Sequence, residues 1–248
     1  MSDLSNRTTI VVGASRGLGR GIAVAFAEAG APVVAVARSA AALTQLASTT
    51  DGIRPEVVDA GDATVPGALI DHYEPHNLVI VAGARPLMRP LHQHTWETFS
   101  ANWNTDVRIA FHWLREALLT PLRPGSRVIV VSSGAALNGS PLSGGYAGAK
   151  ATQRFITAYA QDEAQRAGLS IMFTTVLPQI TPATDLGLPA IRAYAARGGQ
   201  SVQDYLQQRG DPLTPETAGT ALVELAKSDA AALAPAYRLT STGLHPLS

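Results

Sequence analysis
The sequence predicts an α/β fold, a doubly wound parallel sheet covered by helices on both faces and forming one domain over residues 1–248. Three observations lead there. Short β-branched runs recur along the whole chain, the segments between them carry apolar residues at helical spacing, and the two kinds alternate regularly with no linker to divide them. Parallel neighbours need crossover connections, and right-handed crossovers through helices cover the sheet.

Residues 8–12 (TTIVV) open the sheet as a strand apolar enough to be buried on both faces. Residues 17–29 follow as a helix, with Leu18, Ile22, Ala25, Phe26 and Ala29 along one side. A second strand is expected at 33–37, a helix at 40–47, a weak third strand at 56–58 and a strong fourth at 78–82 (LVIVA). One long helix fits 103–119, a fifth strand 127–132 (RVIVVS), a helix 146–167 and a sixth strand 171–177. Thr214 starts another helix, with Pro215 at its first position and Glu216 after it, and a short last strand follows at 237–240. Residues 181–211, rich in Pro, Gly and polar side chains, break the alternation and read as a lid.

The chain has 248 residues, a formal net charge of zero and no cysteine. Zero net charge supplies no global attraction to nucleic acid or to an anionic membrane. The lack of cysteine excludes disulfides and thiolate catalysis and fits a reducing compartment. No apolar run has membrane-spanning length, and the first residues (MSDLSNRTT) lack the charged-then-apolar order of a signal peptide. A soluble, cytoplasmic protein is expected.

Between the first strand and the first helix lies GASRGLG, residues 13–19. Glycines at such a turn let backbone approach a pyrophosphate, and the helix N-terminus adds N–H donors and a favourable dipole. Gly13, Ser15, Arg16, Gly17, Leu18 and Gly19 are therefore expected to bind a cofactor, although the spacing G-x-x-x-G-x-G differs from the usual dinucleotide fingerprint. Folds that prefer NAD carry Asp or Glu at the end of the second strand, where it holds the ribose 2′-hydroxyl. Here VVAVARS puts Ala37 in that position and Arg38 behind it, while Arg16 sits in the glycine loop. Two guanidiniums with no acid beside them suit a 2′-phosphate, so NADP(H) is expected in preference to NAD(H).

Tyr146 and Lys150 open a helix four residues apart and share a face. Of the 19 basic side chains, only Lys150 and Lys227 are lysines. An ordinary phenol has a pKa of about 10, and an adjacent ammonium stabilises a tyrosinate, which makes tyrosine a usable proton donor or acceptor near neutral pH. A lysine head has three rotatable donors and can reach a ribose hydroxyl as well, whereas arginine carries its charge in a fixed planar fork. Ser132 and Ser133 end the fifth strand, and open α/β sheets bind ligands beyond the carboxyl ends of their strands. Ser133 is placed to hydrogen-bond a substrate oxygen while Tyr146 transfers the proton.

With these residues the chain resembles the short-chain dehydrogenase/reductase family over almost its whole length. Gly13, Gly17 and Gly19 match the glycine motif, Ser133 and Tyr146-x-x-x-Lys150 match the catalytic set, and Asp59 matches the acid after the third strand. The resemblance implies a Rossmann-type sheet of about seven strands, a nicotinamide cofactor whose adenine Asp59 contacts, and a homodimer or homotetramer. It also implies reversible hydride transfer between that cofactor and a carbonyl or secondary alcohol.

Several positions depart from the family. Val12 replaces a Thr, and Ile80-Val81-Ala82-Gly83 replaces Asn-Asn-Ala-Gly, which keeps Ala82 and Gly83 as expected cofactor contacts. Pro178-Gln179 replaces Pro-Gly; Pro178 and Thr181 are expected at the cofactor, with Thr184 a second candidate for gripping the carboxamide. The catalytic Asn of the family precedes an aromatic by five residues, which from Phe111 gives Asp106; Asn104 has the right chemistry two positions away, and Asp106 is favoured. An ionised Asp accepts hydrogen bonds and donates none.

Two rival readings stand beside the reductase. One is a cofactor-binding or regulatory protein without turnover, motivated by the altered Asn positions and opposed by the intact Ser133, Tyr146 and Lys150. The other is an isomerising or dehydrating enzyme on the same scaffold. His92 with His94, and His72 with His76, lack the further ligands of a metal site, so none is expected. Trp96, Trp103 and Trp113 read as packing anchors. Leu186, Leu188, Ile191, Tyr194 and Tyr205 in the lid suit a partly apolar substrate.

Overall fold
Runs of Val and Ile with no polar side can only be satisfied between two covering layers, and these runs form the centre of the sheet. The structure, a computed structural model, describes residues 4–120 and 122–247. In chain order the elements are β1 (Thr9–Val12), α1 (Gly17–Glu28), β2 (Val33–Ala37), α2 (Ala40–Thr49), β3 (Ile53–Val57), α3 (Val65–Tyr73) and β4 (Asn77–Ile80). Then follow α4 (Trp96–Asn102), α5 (Arg108–Leu119), β5 (Arg127–Val131), α6 (Ala135–Asn138), α7 (Tyr146–Arg166) and β6 (Met172–Pro178). The chain continues through α8 (Gly187–Arg197), α9 (Val202–Gln207), α10 (Pro215–Lys227), β7 (Ala236–Thr240) and β8 (Gly243–Leu247).

The strands form one sheet in the order β3-β2-β1-β4-β5-β6-β7-β8, parallel throughout except for the antiparallel β8. This is a doubly wound, Rossmann-type α/β fold. Alternate side chains of one strand serve opposite layers. Val11, Val79 and Ile129 pack with Ile22 and Phe26 of α1, Leu43 of α2 and Leu222 of α10. Ile10, Val12, Leu78, Ile80, Val128 and Val130 pack with Ile70 of α3, Trp113 of α5 and Ala160 of α7. Asn77 Nδ2 donates to Thr9 Oγ1 at 3.1 Å, a buried side-chain tie between β4 and β1. From β1 the chain winds outward to β3, then returns to place β4 against the other side of β1. The switch point between β1 and β4 opens a crevice at their carboxyl ends, where ligands of such sheets bind.

Four features differ from the sequence reading. Strand β3 starts three residues earlier than expected, because as an edge strand it carries Arg54, Pro55 and Glu56, which conceal it. An eighth strand, β8, turns back on β7; its Pro246 and His245 give little strand signal. The long helix begins at Trp96, passes through a π turn at Trp103–Val107 and continues as α5. Of the three tryptophans only Trp113 is an anchor: it is fully buried and its Nε1 donates to the Ala60 carbonyl at 3.1 Å. Trp96 and Trp103 are 79% and 52% exposed.

The segment 181–211 contains α8 and α9, which share a small core of Ile191, Ala195 and Tyr205. No helix among the described residues is long and apolar enough to cross a membrane.

Candidate active site
A cavity of about 970 Å³ occupies the crevice at the switch point. The glycine loop forms one wall. Gly13 has φ of 96°, and a Cβ there would lie 2.6 Å from the Ala82 backbone nitrogen, so only glycine lets the loop press against the end of β4. No side chain caps α1, whose first residues Gly17, Leu18 and Gly19 line the cavity. Uncapped N–H groups at a helix start make an anion site when a ligand supplies the acceptor.

The lining is strongly cationic for a chain of zero net charge. Arg16, Arg38, Arg85, Arg108, Arg209, Arg238 and Lys150 face only three carboxylates, those of Asp59, Asp106 and Asp185. Arg85 Nη2 donates to Asp185 at 2.7 Å, and Arg16 lies 3.6 Å from the same carboxylate, which joins the lid to the glycine loop. All three side chains are about half exposed, and such pairs contribute roughly 0–1 kcal/mol. Asp59 Oδ1 accepts from the Gly61 N–H at 2.9 Å.

At the other end, α7 begins with Tyr146 and carries Lys150 one turn on. Both are buried, at 7% and 4% exposure, and Lys150 Nζ is 5.7 Å from the Tyr146 ring centroid. Asp106 comes from the π turn and is wholly buried. Its Oδ1 accepts from the Ala84 N–H at 2.8 Å, and its Oδ2 lies 3.2 Å from Lys150 Nζ. That second contact is an ion pair with poor hydrogen-bond angles, so Oδ2 has no directed donor. Gly83 makes the approach possible, since a Cβ there would sit 2.7 Å from Oδ2. Burial pulls the Lys150 pKa down, but the Asp106 charge, the Tyr146 phenol and the Asp106 contact outweigh it, so the ammonium is held above the usual lysine range.

The two serines after β5 divide their work. Ser132 is buried and its Oγ donates to the Lys150 carbonyl at 2.7 Å, bracing α7. Ser133 lines the cavity, and its Oγ accepts from the Ala135 N–H at 3.2 Å, which leaves its O–H for another acceptor.

Every residue expected from sequence to bind cofactor or take part in proton transfer lines this one cavity, from Gly13 and Ser15 to Pro178 and Thr181; of the apolar lid residues, Leu186, Tyr194 and Tyr205 line it, while Leu188 and Ile191 do not. Asn104 does not; its Nδ2 turns to Ser100 Oγ at 3.4 Å. Thr181 Oγ1 donates to the Leu213 carbonyl and accepts from the Ala183 N–H, so its proton is committed within the protein. Thr184 Oγ1 accepts from the Gly187 N–H at 3.0 Å, at the start of α8. Among the described residues no group of three or more His, Cys, Asp or Glu is placed to hold a metal ion. Sequence reasoning missed Gln153 and Asn102, and gave Tyr194 only as an apolar lid residue. Tyr194 hydrogen-bonds Ser140 across the cavity mouth, and Asn102 Nδ2 donates to the Ala84 carbonyl at 2.8 Å. Polar residues on apolar helices were the only signal available.

A family model described as short chain dehydrogenase matches residues 7–190. The chain belongs to the short-chain dehydrogenase family. Among curated relatives, this short-chain dehydrogenase is 34% identical to D-erythrulose reductase of Gallus gallus over 112 residues, 44% of this chain and 46% of that one. It is 33% identical to carbonyl reductase (NADPH) 2 of Sus scrofa over 109 residues, 44% of this chain and 45% of that one. The chain thus spans about half the length of these curated relatives. A crystal structure of a short chain dehydrogenase from Mycobacterium avium superposes with a TM-score of 0.77 over 100% of this chain and 86% of that one, at 20% identity, a likeness of fold alone.

Proposed function
We propose that this chain is a cytoplasmic, single-domain, NADPH-dependent reductase that converts a ketone to a secondary alcohol reversibly. The observation that carries the reading is the convergence of Ser133, Tyr146 and the buried Lys150 on the cavity entered by the glycine loop. The names of D-erythrulose reductase and carbonyl reductase (NADPH) 2 support the reaction class and the cofactor.

The residues fit a dinucleotide. The close contact at Gly13 leaves backbone at the cavity wall, and the cationic lining suits a diphosphate with a further phosphate. Gly13, Ser15, Gly17, Leu18 and Gly19 would hold the pyrophosphate, Arg16 and Arg38 the 2′-phosphate, Asp59 the adenine, and Ala82, Gly83, Pro178 and Thr181 the remainder. Arg16 gives up only an exposed ion pair for charge-assisted bonds to phosphate. Bound, the nicotinamide supplies the hydride. Ser133 donates a hydrogen bond to the substrate oxygen, and Tyr146 delivers the phenolic proton to that oxygen as it gains charge. Lys150 holds positive charge beside the phenol and keeps a donor for the ribose. In oxidation the same groups act in reverse.

Tyr146→Phe removes the transferable proton and preserves the ring. Turnover on a carbonyl panel is expected to fall by about 10²–10⁴-fold while NADPH still quenches or enhances fluorescence on binding. Full turnover in that variant would remove the assignment.

A further inference from the structure
Gln153 is 1% exposed and lies nearly one helical turn beyond Lys150 on α7. A buried primary amide must satisfy both donor and acceptor, or its burial is unfavourable. Its Nε2 donates to the Asp106 main-chain carbonyl at 2.9 Å, and its Oε1 accepts from Lys150 Nζ at 3.0 Å. The Asp106 carboxylate closes the circuit at 3.2 Å from the same ammonium. One residue of the π turn is therefore reached twice from α7, once through the amide and once through the charge. Within this ring the Gln153 amide takes one of the three donors of the ammonium in a directed bond, the Asp106 charge holds the head beside the π turn, and the remaining donors are left for the cavity.

We propose that Gln153 is a positioning residue of the site, which locks the Lys150 ammonium beside Asp106 and directs its remaining donors toward Tyr146 and the bound cofactor. The proposal rests on the reading of Tyr146 and Lys150 as the proton-transfer pair. Glutamine is the side chain this geometry demands. Glutamate accepts from the ammonium and sets a second oxygen against the Asp106 carbonyl. Methionine fills the same volume and leaves both partners without a directed bond. A side chain kept only for packing needs no amide. The charged or titratable groups facing the ammonium are Asp106 from the π turn and Tyr146 from α7; β5 contributes only the neutral Ser132, at the Lys150 carbonyl.

The sequence makes the test direct, because Lys150 and Lys227 are its only lysines. Protein labelled with ¹³C and ¹⁵N in lysine alone yields two side-chain signals, and Lys227→Arg assigns them. In the full-length wild type the Lys150 ammonium is expected to exchange its protons slowly. In Gln153→Met the exchange is expected to be roughly tenfold faster, as loss of a hydrogen bond to a charged group implies. Turnover of a ketone should fall by about a hundredfold with loss of alignment, and its pH profile should move. Gln153→Glu restores the acceptor and should recover slow exchange. Rapid exchange in the wild type, or a folded Gln153→Met with unaltered exchange and pH profile, overturns the proposal; the wild-type measurement decides even if the variant fails to fold. Slow exchange in a protein that reduces no carbonyl keeps the ring and defeats the reductase reading instead. Turnover with rapid wild-type exchange defeats the Gln153 proposal alone.

Discussion
Lys150 bears a full charge in a fully buried position, and its neighbours make that tolerable. Desolvation opposes the ammonium, while Asp106, Tyr146 and Gln153 each favour it. Removing one member of a buried pair leaves the other charge uncompensated, which is why Asp106 and Lys150 belong together. At the opposite end of the cavity the side chains proposed to read the 2′-phosphate are exposed arginines. Replacing Arg16 and Arg38 together by Ala is expected to cut the preference for NADPH over NADH by about ten- to a hundredfold, the worth of one or two hydrogen bonds to a charged group. Parallel fluorescence titrations with the two cofactors measure it. An unchanged ratio would show that the 2′-phosphate is read by other residues.

Among the elements, α5 links core and site. Its buried face carries Ile109, Ala110, Trp113, Leu114 and Ala117, and the π turn ahead of it sets Asp106 against Lys150. π turns widen a helix locally and recur at functional sites. Trp113→Ala empties a fully buried position and strands the Ala60 carbonyl, so it is expected to cost about 3–5 kcal/mol. The urea midpoint reads that loss, and a shift below 1 kcal/mol would mean that the layer beneath the sheet collapses to fill the space. The same helix shows the limit of pattern reading. Its 3.6-residue period was legible from Trp103 onward, but the turn that registers Asp106 was not, because a π turn changes hydrogen bonding without changing composition.

For the molecule as a whole, buried and paired ionisable groups couple stability to alkaline pH. The pKa of Lys150 is raised in the fold; Tyr73 is raised by burial and its bond to Glu56, and Tyr205 by burial. A raised folded pKa adds stability that is fully present below the unfolded value and lost as pH climbs through the folded one. Unperturbed values of 10.5 for lysine and 10.0 for tyrosine place the loss above about pH 10. Thermal melts are expected to hold from neutral pH to that point and to fall beyond it, and Asp106→Asn should blunt the fall at the cost of stability near neutrality. An equal fall in both proteins would separate alkaline unfolding from this ion pair. On the outer surface, Trp103 and Phe111 from the π turn and α5, with Phe155 and Tyr159 from α7, are exposed on two packed helices. Exposed aromatic faces of this kind mark contact surfaces. Self-association through this face is the expected outcome in sedimentation, with Phe155→Glu shifting the protein toward monomer; an aromatic face that leaves the wild type monomeric would refute it.

The sequence by itself determined the parallel sheet, most of the helices that cover it, and the glycine loop, because period and residue type are local properties. It also set Ser133 just after a strand and Tyr146 and Lys150 one turn apart on the next long helix, and their shared site followed from the family resemblance. The start of edge strand β3 and the whole of β8 escaped, because a strand paired on one side needs no apolar run. Only the tertiary structure set Asp106, and not Asn104, beside Lys150 and brought Gln153 to the ammonium. It alone placed Asp185 between Arg16 and Arg85. Those contacts join residues far apart in the chain, and their energies depend on burial and angle, which appear only once the layers have packed.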